Sequence, residues 1–169
     1  HDGQSLVYDQ SDPTNDSGDI WTLDLKKGVA NRLTYDSVNE SAPIWSPDDS
    51  RVLYFKNIGA AADLMLTASN GTGTGEILLS NGARNRPNDW SRSGRFVVVH
   101  SEPAGSSGTA DLWVYSFEEK KASPWLATPF RETSGRFSPD ERWIAYTSDE
   151  SGRREVYVRG FSATGGKWR

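Results

Sequence analysis

An all-β fold, organised as a β-propeller, is predicted by three observations: a motif that returns at a constant interval, short apolar runs between its copies, and turn-forming residues between the runs. The motif Trp45-Ser46-Pro47-Asp48-Asp49 returns as Trp90-Ser91-Arg92-Ser93-Gly94 and as Phe137-Ser138-Pro139-Asp140-Glu141, and His1-Asp2-Gly3 matches its tail. From His1 through Pro47, Arg92 and Pro139 the spacings are 46, 45 and 47 residues. Four short strands in such a period are the arithmetic of a propeller blade, which takes roughly 40–50 residues.

The first strand of each repeat follows the motif, as Leu6-Val7-Tyr8, Val52-Leu53-Tyr54-Phe55, Phe96-Val97-Val98-Val99 and Trp143-Ile144-Ala145-Tyr146. These runs are too short for helices and rich in β-formers. Their unbroken apolar character fits strands covered on both faces, as the middle strands of stacked sheets are. A polar loop, an acidic residue and a second strand come next: Asp19-Ile20-Trp21-Thr22-Leu23, Asp63-Leu64-Met65-Leu66, Asp111-Leu112-Trp113-Val114-Tyr115 and Glu155-Val156-Tyr157-Val158. Third strands are expected at Asn31-Arg32-Leu33-Thr34, Glu76-Ile77-Leu78-Leu79 and Pro124-Trp125-Leu126-Ala127, with the stub Lys167-Trp168-Arg169. The remaining strand leads into the motif, as in Pro43-Ile44-Trp45-Ser46. No segment carries the 3.6-residue apolar period of an amphipathic helix, and Gly, Pro, Ser, Asn and Asp cluster where turns belong.

The chain therefore reads as a single propeller region, residues 1–169, with repeats at approximately 1–46, 47–91, 92–138 and 139–169, the first and last incomplete. Only three inner strands, at 40–46, 85–91 and 132–138, stand against four copies of the strands that follow. An uncovered edge or blade face invites association. The expectation is that the chain does not close alone. It belongs to a larger propeller or pairs with a second copy, two four-blade units making an eight-bladed ring.

Composition excludes several functions. The 19 basic and 23 acidic residues give a net charge of −4 and are interspersed, so no basic stripe exists for nucleic acid. No apolar run approaches the roughly 20 residues that span a bilayer, so no membrane insertion is expected of this segment. The chain has no cysteine, which removes disulfides and thiolate chemistry. A serine hydrolase needs a nucleophile on a Gly-x-Ser-x-Gly elbow with a histidine and an acid. That elbow is absent, Gly105-Ser106-Ser107-Gly108 has the wrong spacing, His1 is terminal and His100 ends an apolar strand. No histidine cluster suits zinc, and no glycine-rich loop opens a helix that could cradle phosphate. No enzyme activity, cofactor or metal is expected.

The conspicuous residues have structural readings. Trp45, Trp90 and Phe137 share one repeat position and are read as packing residues rather than a stacking platform. Asp48 and Asp140 are read as turn carboxylates that bond backbone N–H groups. Asp19, Asp63, Asp111 and Glu155 fall one per repeat, so they lie on separate sheets and cannot converge on one metal. The acidic run from Asp9 to Asp19 lacks the alternating spacing of a calcium loop and is read as a solvated connection. Sequons stand at Asn15, Asn39 and Asn70.

The segment Gly135-Arg136-Phe137-Ser138-Pro139-Asp140-Glu141-Arg142-Trp143-Ile144-Ala145-Tyr146-Thr147-Ser148, and with it Ala42-Pro43-Ile44-Trp45-Ser46-Pro47-Asp48, resembles the repeat of TolB-like, WD-repeat-like bacterial propellers. The run from Asp149 to Val158, with Gly165-Gly166-Lys167-Trp168, looks like propellers attached to bacterial transmembrane serine/threonine kinases. The resemblance implies a non-catalytic binding, scaffolding or sensory module for a protein or peptide, on the periplasmic or extracellular side of a bacterial envelope. It also admits the gating propeller of a prolyl-oligopeptidase-like or tricorn-like peptidase, or a propeller fragment that assembles with itself. The pattern is broken by Asp49 where glycine is usual and by Arg92-Ser93 in place of Pro-Asp. Those turns are expected to differ in conformation, because glycine most easily supplies a positive φ.

Propellers gather loops at the two ends of a central channel, so repeat-variable polar residues before the inner strands are the binding candidates. Here these are Glu40, Arg84, Arg86, Arg131 and Glu132. Their mixed charge suits a peptide or protein.

Overall fold

A computed structural model describes residues 3–14, 17–105, 108–162 and 166–169. Among them are fifteen strands and no helix. Two compact units divide the chain at Pro87 and Asn88.

The first unit holds β1 (Ser5–Ser11), β2 (Gly18–Asp24) and β3 (Val29–Arg32) in one sheet, then β4 (Glu40–Trp45), β5 (Arg51–Ile58), β6 (Ala61–Ala68) and β7 (Glu76–Leu79). The second unit takes up β8 (Ala83–Trp90), within which the boundary falls, with β9 (Phe96–Pro103), β10 (Asp111–Ser116) and β11 (Lys121–Leu126). Its other sheet is β12 (Thr133–Phe137), β13 (Trp143–Ser148), β14 (Glu155–Gly160) and β15 (Lys167–Trp168). Paired strands follow one another in the chain and run antiparallel, except that β8 also meets β6 through one parallel bridge, Ala62 to Arg84, which joins β4–β11 into a continuous eight-stranded sheet. The inner strand that leads into each motif opens the sheet that follows it. The first sheet has three strands and lacks that inner strand, while the last has four with a two-residue outermost member.

Two third strands begin earlier than the sequence suggests. β3 starts directly after Gly28, whose φ of 67° closes the turn, and Thr34 leaves the ladder to accept the Ile20 N–H on its Oγ1 at 2.9 Å. β11 starts at Lys121, opposite Ser116, and passes a bulge at Leu112 and Trp113.

The core of the first unit joins Ile20, Leu33, Val52, Tyr54 and Met65, with Val7 and Trp45 packed against them. That of the second joins Val98, Leu112, Val114, Leu126, Ile144, Tyr146 and Tyr157, with Phe137 and Phe161 at its margin. Residues 52–55 and 97–99 are buried without interruption, as their unbroken apolar runs require. Trp90 is buried, stacks on Phe117 at 5.1 Å and donates its Nε1–H to the Gly94 carbonyl at 3.1 Å. Phe137 meets Phe161 edge-on at 5.2 Å. All three motif aromatics are thus packed, Trp45 and Phe137 less completely than Trp90.

The motif builds one turn three times. The N–H of Ser46, Ser91 and Ser138 donates to the carbonyl of Arg51, Phe96 and Trp143 respectively, at 2.8, 2.9 and 2.9 Å. The N–H of Arg51, Phe96 and Trp143 donates in return to the serine Oγ at 2.9, 3.1 and 3.0 Å. The Ser46 and Ser138 hydroxyls donate hydrogen bonds to the Asp48 and Asp140 carboxylates at 2.5 Å, so both carboxylates serve the turn. These bonds hold the Asp48 pKa down to about 2, the Ser46 hydroxyl being the main cause.

One expectation is overturned here. Asp49, Gly94 and Glu141 hold the same left-handed backbone, with φ of 59°, 75° and 57°, and Gly3 matches them at 68°. The serine and backbone bonds over-determine the turn, so a non-glycine residue is forced into the conformation that glycine adopts freely.

Candidate binding residues at the inner strands

Glu40, Asn85 and Glu132 stand five residues before the motif aromatic in successive repeats, and all three are fully buried. Each lies where an inner strand meets the start of a second strand from the preceding repeat. Ala62 bridges Arg84 in parallel, Ala110 bridges Arg131, and the Glu132 N–H donates to the Ala110 carbonyl at 2.7 Å. In the first repeat the matching residue is Gly18, where a Cβ would come within 2.7 Å of the Asn39 Oδ1 and 3.3 Å of the Glu40 carbonyl. Glycine is required there by this close approach.

Asn85 satisfies its burial with an amide that donates to Asn81 Oδ1 at 2.8 Å and to the Ala62 carbonyl at 3.3 Å. Glu132 accepts from Thr128 Oγ1 at 2.5 Å and Ser148 Oγ at 3.5 Å, leaving Oε2 without a partner. Burial raises its pKa, and those two hydroxyls offset part of the rise. Neither carboxylate oxygen of Glu40 receives a hydrogen bond, and the Lys56 ammonium stands at 4.0 Å while it pairs with Asp36. Burial pushes Glu40 up to about 7, against smaller lowering effects from Thr34 and Lys56. The two glutamates are therefore interior groups and do not line an open surface.

The arginines divide differently. Arg131 forms an ion pair with Glu102, and its N–H donates to Asp149 Oδ1 at 2.9 Å. Arg84 and Arg86 lie two apart on β8, hence on one face, with the Asn85 side chain directed to the other. Arg86 covers the Phe55 ring at 4.8 Å. Both arginines are half-buried, both Nε atoms are buried without an acceptor, and neither has an ion pair among the described residues. Of the five sequence candidates, Glu40 and Glu132 are buried, Arg131 is ion-paired, and Arg84 and Arg86 have no ion pair among the described residues. Sequence reasoning passed over Asn85, which the repeat register alone could have found.

It also passed over a cleft of about 520 Å³ in the first unit, floored by Trp45 and rimmed by Ser5, Asp24, Asn31, Ser69 and Asn70. His100 is held by Asn88 across 3.1 Å. Asp19 pairs with Arg32 at 2.7 Å, and the four repeated acids sit on β2, β6, β10 and β14. Among the described residues no group of three His, Asp or Glu could hold a metal. Asn15 and Asp16 of the acidic run, and Ser106 and Ser107, lie outside the described residues.

No protein-family model and no curated protein matches the sequence. Solved structures do match. TolB from Acinetobacter baumannii aligns with a TM-score of 0.78 at 17% identity, over 98% of this chain and 41% of that one. The fold is a TolB-like β-propeller. A putative TolB from Agrobacterium tumefaciens gives 0.75 at 16% identity, over 98% and 61%. The β-propeller domain of the Trilobed protease from Pyrococcus furiosus, described as having an open velcro topology, gives 0.69 at 12%, over 100% and 55%. The chain spans less than two thirds of each of these proteins. In a TolB-like propeller so distant in sequence, the likeness lies in the backbone: the serine turn and the parallel bridge recur from repeat to repeat here while the residues around them change.

Proposed function

We propose that this chain is a non-catalytic propeller module that binds a protein or peptide, and that Arg84 and Arg86 read an acidic group on that partner. The observation that carries this reading is the pair of same-face guanidiniums with buried Nε atoms and no acceptor. A buried donor without a partner is costly, and a carboxylate can satisfy a guanidinium through two parallel bonds. Of the other candidates, Arg131 is spent on Glu102, and Glu40 and Glu132 belong to the inner-strand framework. A non-catalytic role is supported by the lack of a nucleophile elbow in the sequence. A location on the periplasmic or outer side of a bacterial envelope, implied by the motif resemblance, is part of the same proposal. No helix among the described residues is long and apolar enough to cross a membrane.

Fluorescence anisotropy with a labelled glutamate-rich peptide, against a lysine-rich peptide of equal length, tests the assignment. The acidic peptide should bind and the basic one should not. Arg84→Gln and Arg86→Glu should each weaken binding roughly tenfold or more, about 1.4 kcal/mol, without lowering the melting temperature. Equal binding of the two peptides, or full affinity in both variants, would remove the arginines from the site.

A further inference from the structure

The first and last sheets in chain order each carry apolar side chains that are exposed, and repeat register shows how the same positions are covered in the other sheets. Leu6 is 50% exposed, whereas Val52, Val97 and Ile144 at the same register are 0% exposed. Val156 is 63% exposed, whereas Ile20, Leu64 and Leu112 at its register are likewise 0%. Neither residue stands alone. Leu6 pairs with Leu23 and Tyr8 with Trp21 across β1 and β2, so these four share one face. On the last sheet Val156 shares its face with Ala145, Val158, Trp143 and Trp168. The two tryptophans meet edge-on at 5.0 Å, and Trp168 is itself more than half exposed.

Within each unit the rule of contact between sheets is explicit. In the first, the face of β5 that carries Val52 and Tyr54 packs on the face that carries Ile20, Leu33 and Val7. In the second, Ile144, Tyr146 and Tyr157 pack on Val98, Leu112 and Val114. A face of the Leu6 register therefore seats on a face of the Val156 register. This chain displays one of each, both unoccupied.

We propose that the Leu6 face of one copy of this chain seats on the Val156 face of a second copy, reproducing the contact that the sheets make inside each unit. Two copies related by a twofold axis make the contact twice, so each half is used once per chain. Specific interfaces bury about 800 Å² per partner, and the doubled contact engages both apolar faces of each chain. The faces differ, so a like-with-like contact, Leu6 on Leu6, is not what the register prescribes.

Light scattering on the 169-residue chain at micromolar concentration should give the mass of two chains. Leu6→Lys and Val156→Glu, both at exposed positions, should each be monomeric with an unchanged circular dichroism spectrum and melting temperature. An equimolar mixture of the two variants should recover the double mass, because one contact is then native and the other joins lysine to glutamate. A monomeric parent chain overturns the proposal. So does a Val156→Glu variant that stays dimeric, which means a Leu6-to-Leu6 contact, or a mixture that stays monomeric.

Discussion

Asp49 and Gly94 occupy the same repeat position and hold the same left-handed backbone, with φ of 59° and 75°. For an L-residue that conformation costs about 1–2 kcal/mol, part of which glycine gives back in unfolded-state entropy. Asp49→Gly should therefore stabilise the fold by about 0.5–1 kcal/mol. A Cβ at Gly94 meets nothing within 4 Å, so Gly94→Ala should lose about 1 kcal/mol through φ alone. Urea midpoints at unchanged m-value read both effects, and a destabilised Asp49→Gly would mean that the aspartate side chain supports the turn more than its backbone strains it.

Glu40 makes stability depend on pH. Its carboxyl moves from an ordinary 4.5 to about 7 on burial, so the folded state prefers the protonated form. Below pH 4.5 both states hold the proton. Between 4.5 and about 7 the unfolded chain releases it first, and stability should fall by about 1.4 kcal/mol per pH unit at most, levelling off above. Glu132, raised in the same direction, adds a slope of the same sign. Glu40→Gln should flatten most of the fall, since Asn85 already places an amide at this register. Denaturant titrations from pH 4.5 to 8 check this, and an identical slope in the variant would remove Glu40 as its source.

Trp90 and Trp45 share a motif position but differ in burial, Trp90 being 7% exposed and Trp45 half-buried over the cleft. Trp90→Ala should cost about 3–5 kcal/mol, the range for large aromatic truncations in cores, and Trp45→Ala clearly less. Calorimetric melting of the two variants compares them. A larger loss at Trp45 would mean that the cleft is closed in solution.

Repeat spacing, apolar runs and turn residues, read from the sequence alone, determined the class of fold, the order of its short strands and the packed aromatics. These properties are local or periodic. A short unbroken apolar run and a serine in a fixed turn act through neighbours in the chain, and their repetition averages out the exceptions. The turn at Asp49 could not be read in this way, because its φ is imposed by Ser46 and Arg51 acting together and not by the preference of Asp49 itself. Nor could the fate of the charged candidates. Glu40 and Glu132 look like surface groups in the sequence, yet the close approach of the inner strand to the preceding second strand, as in the bridge of Ala110 to Arg131, buries both. Burial of a side chain is a property of the sheet that covers it. Only the tertiary structure, by covering Val52 while Leu6 at the same register stays half exposed, decided which faces of these repeats are core.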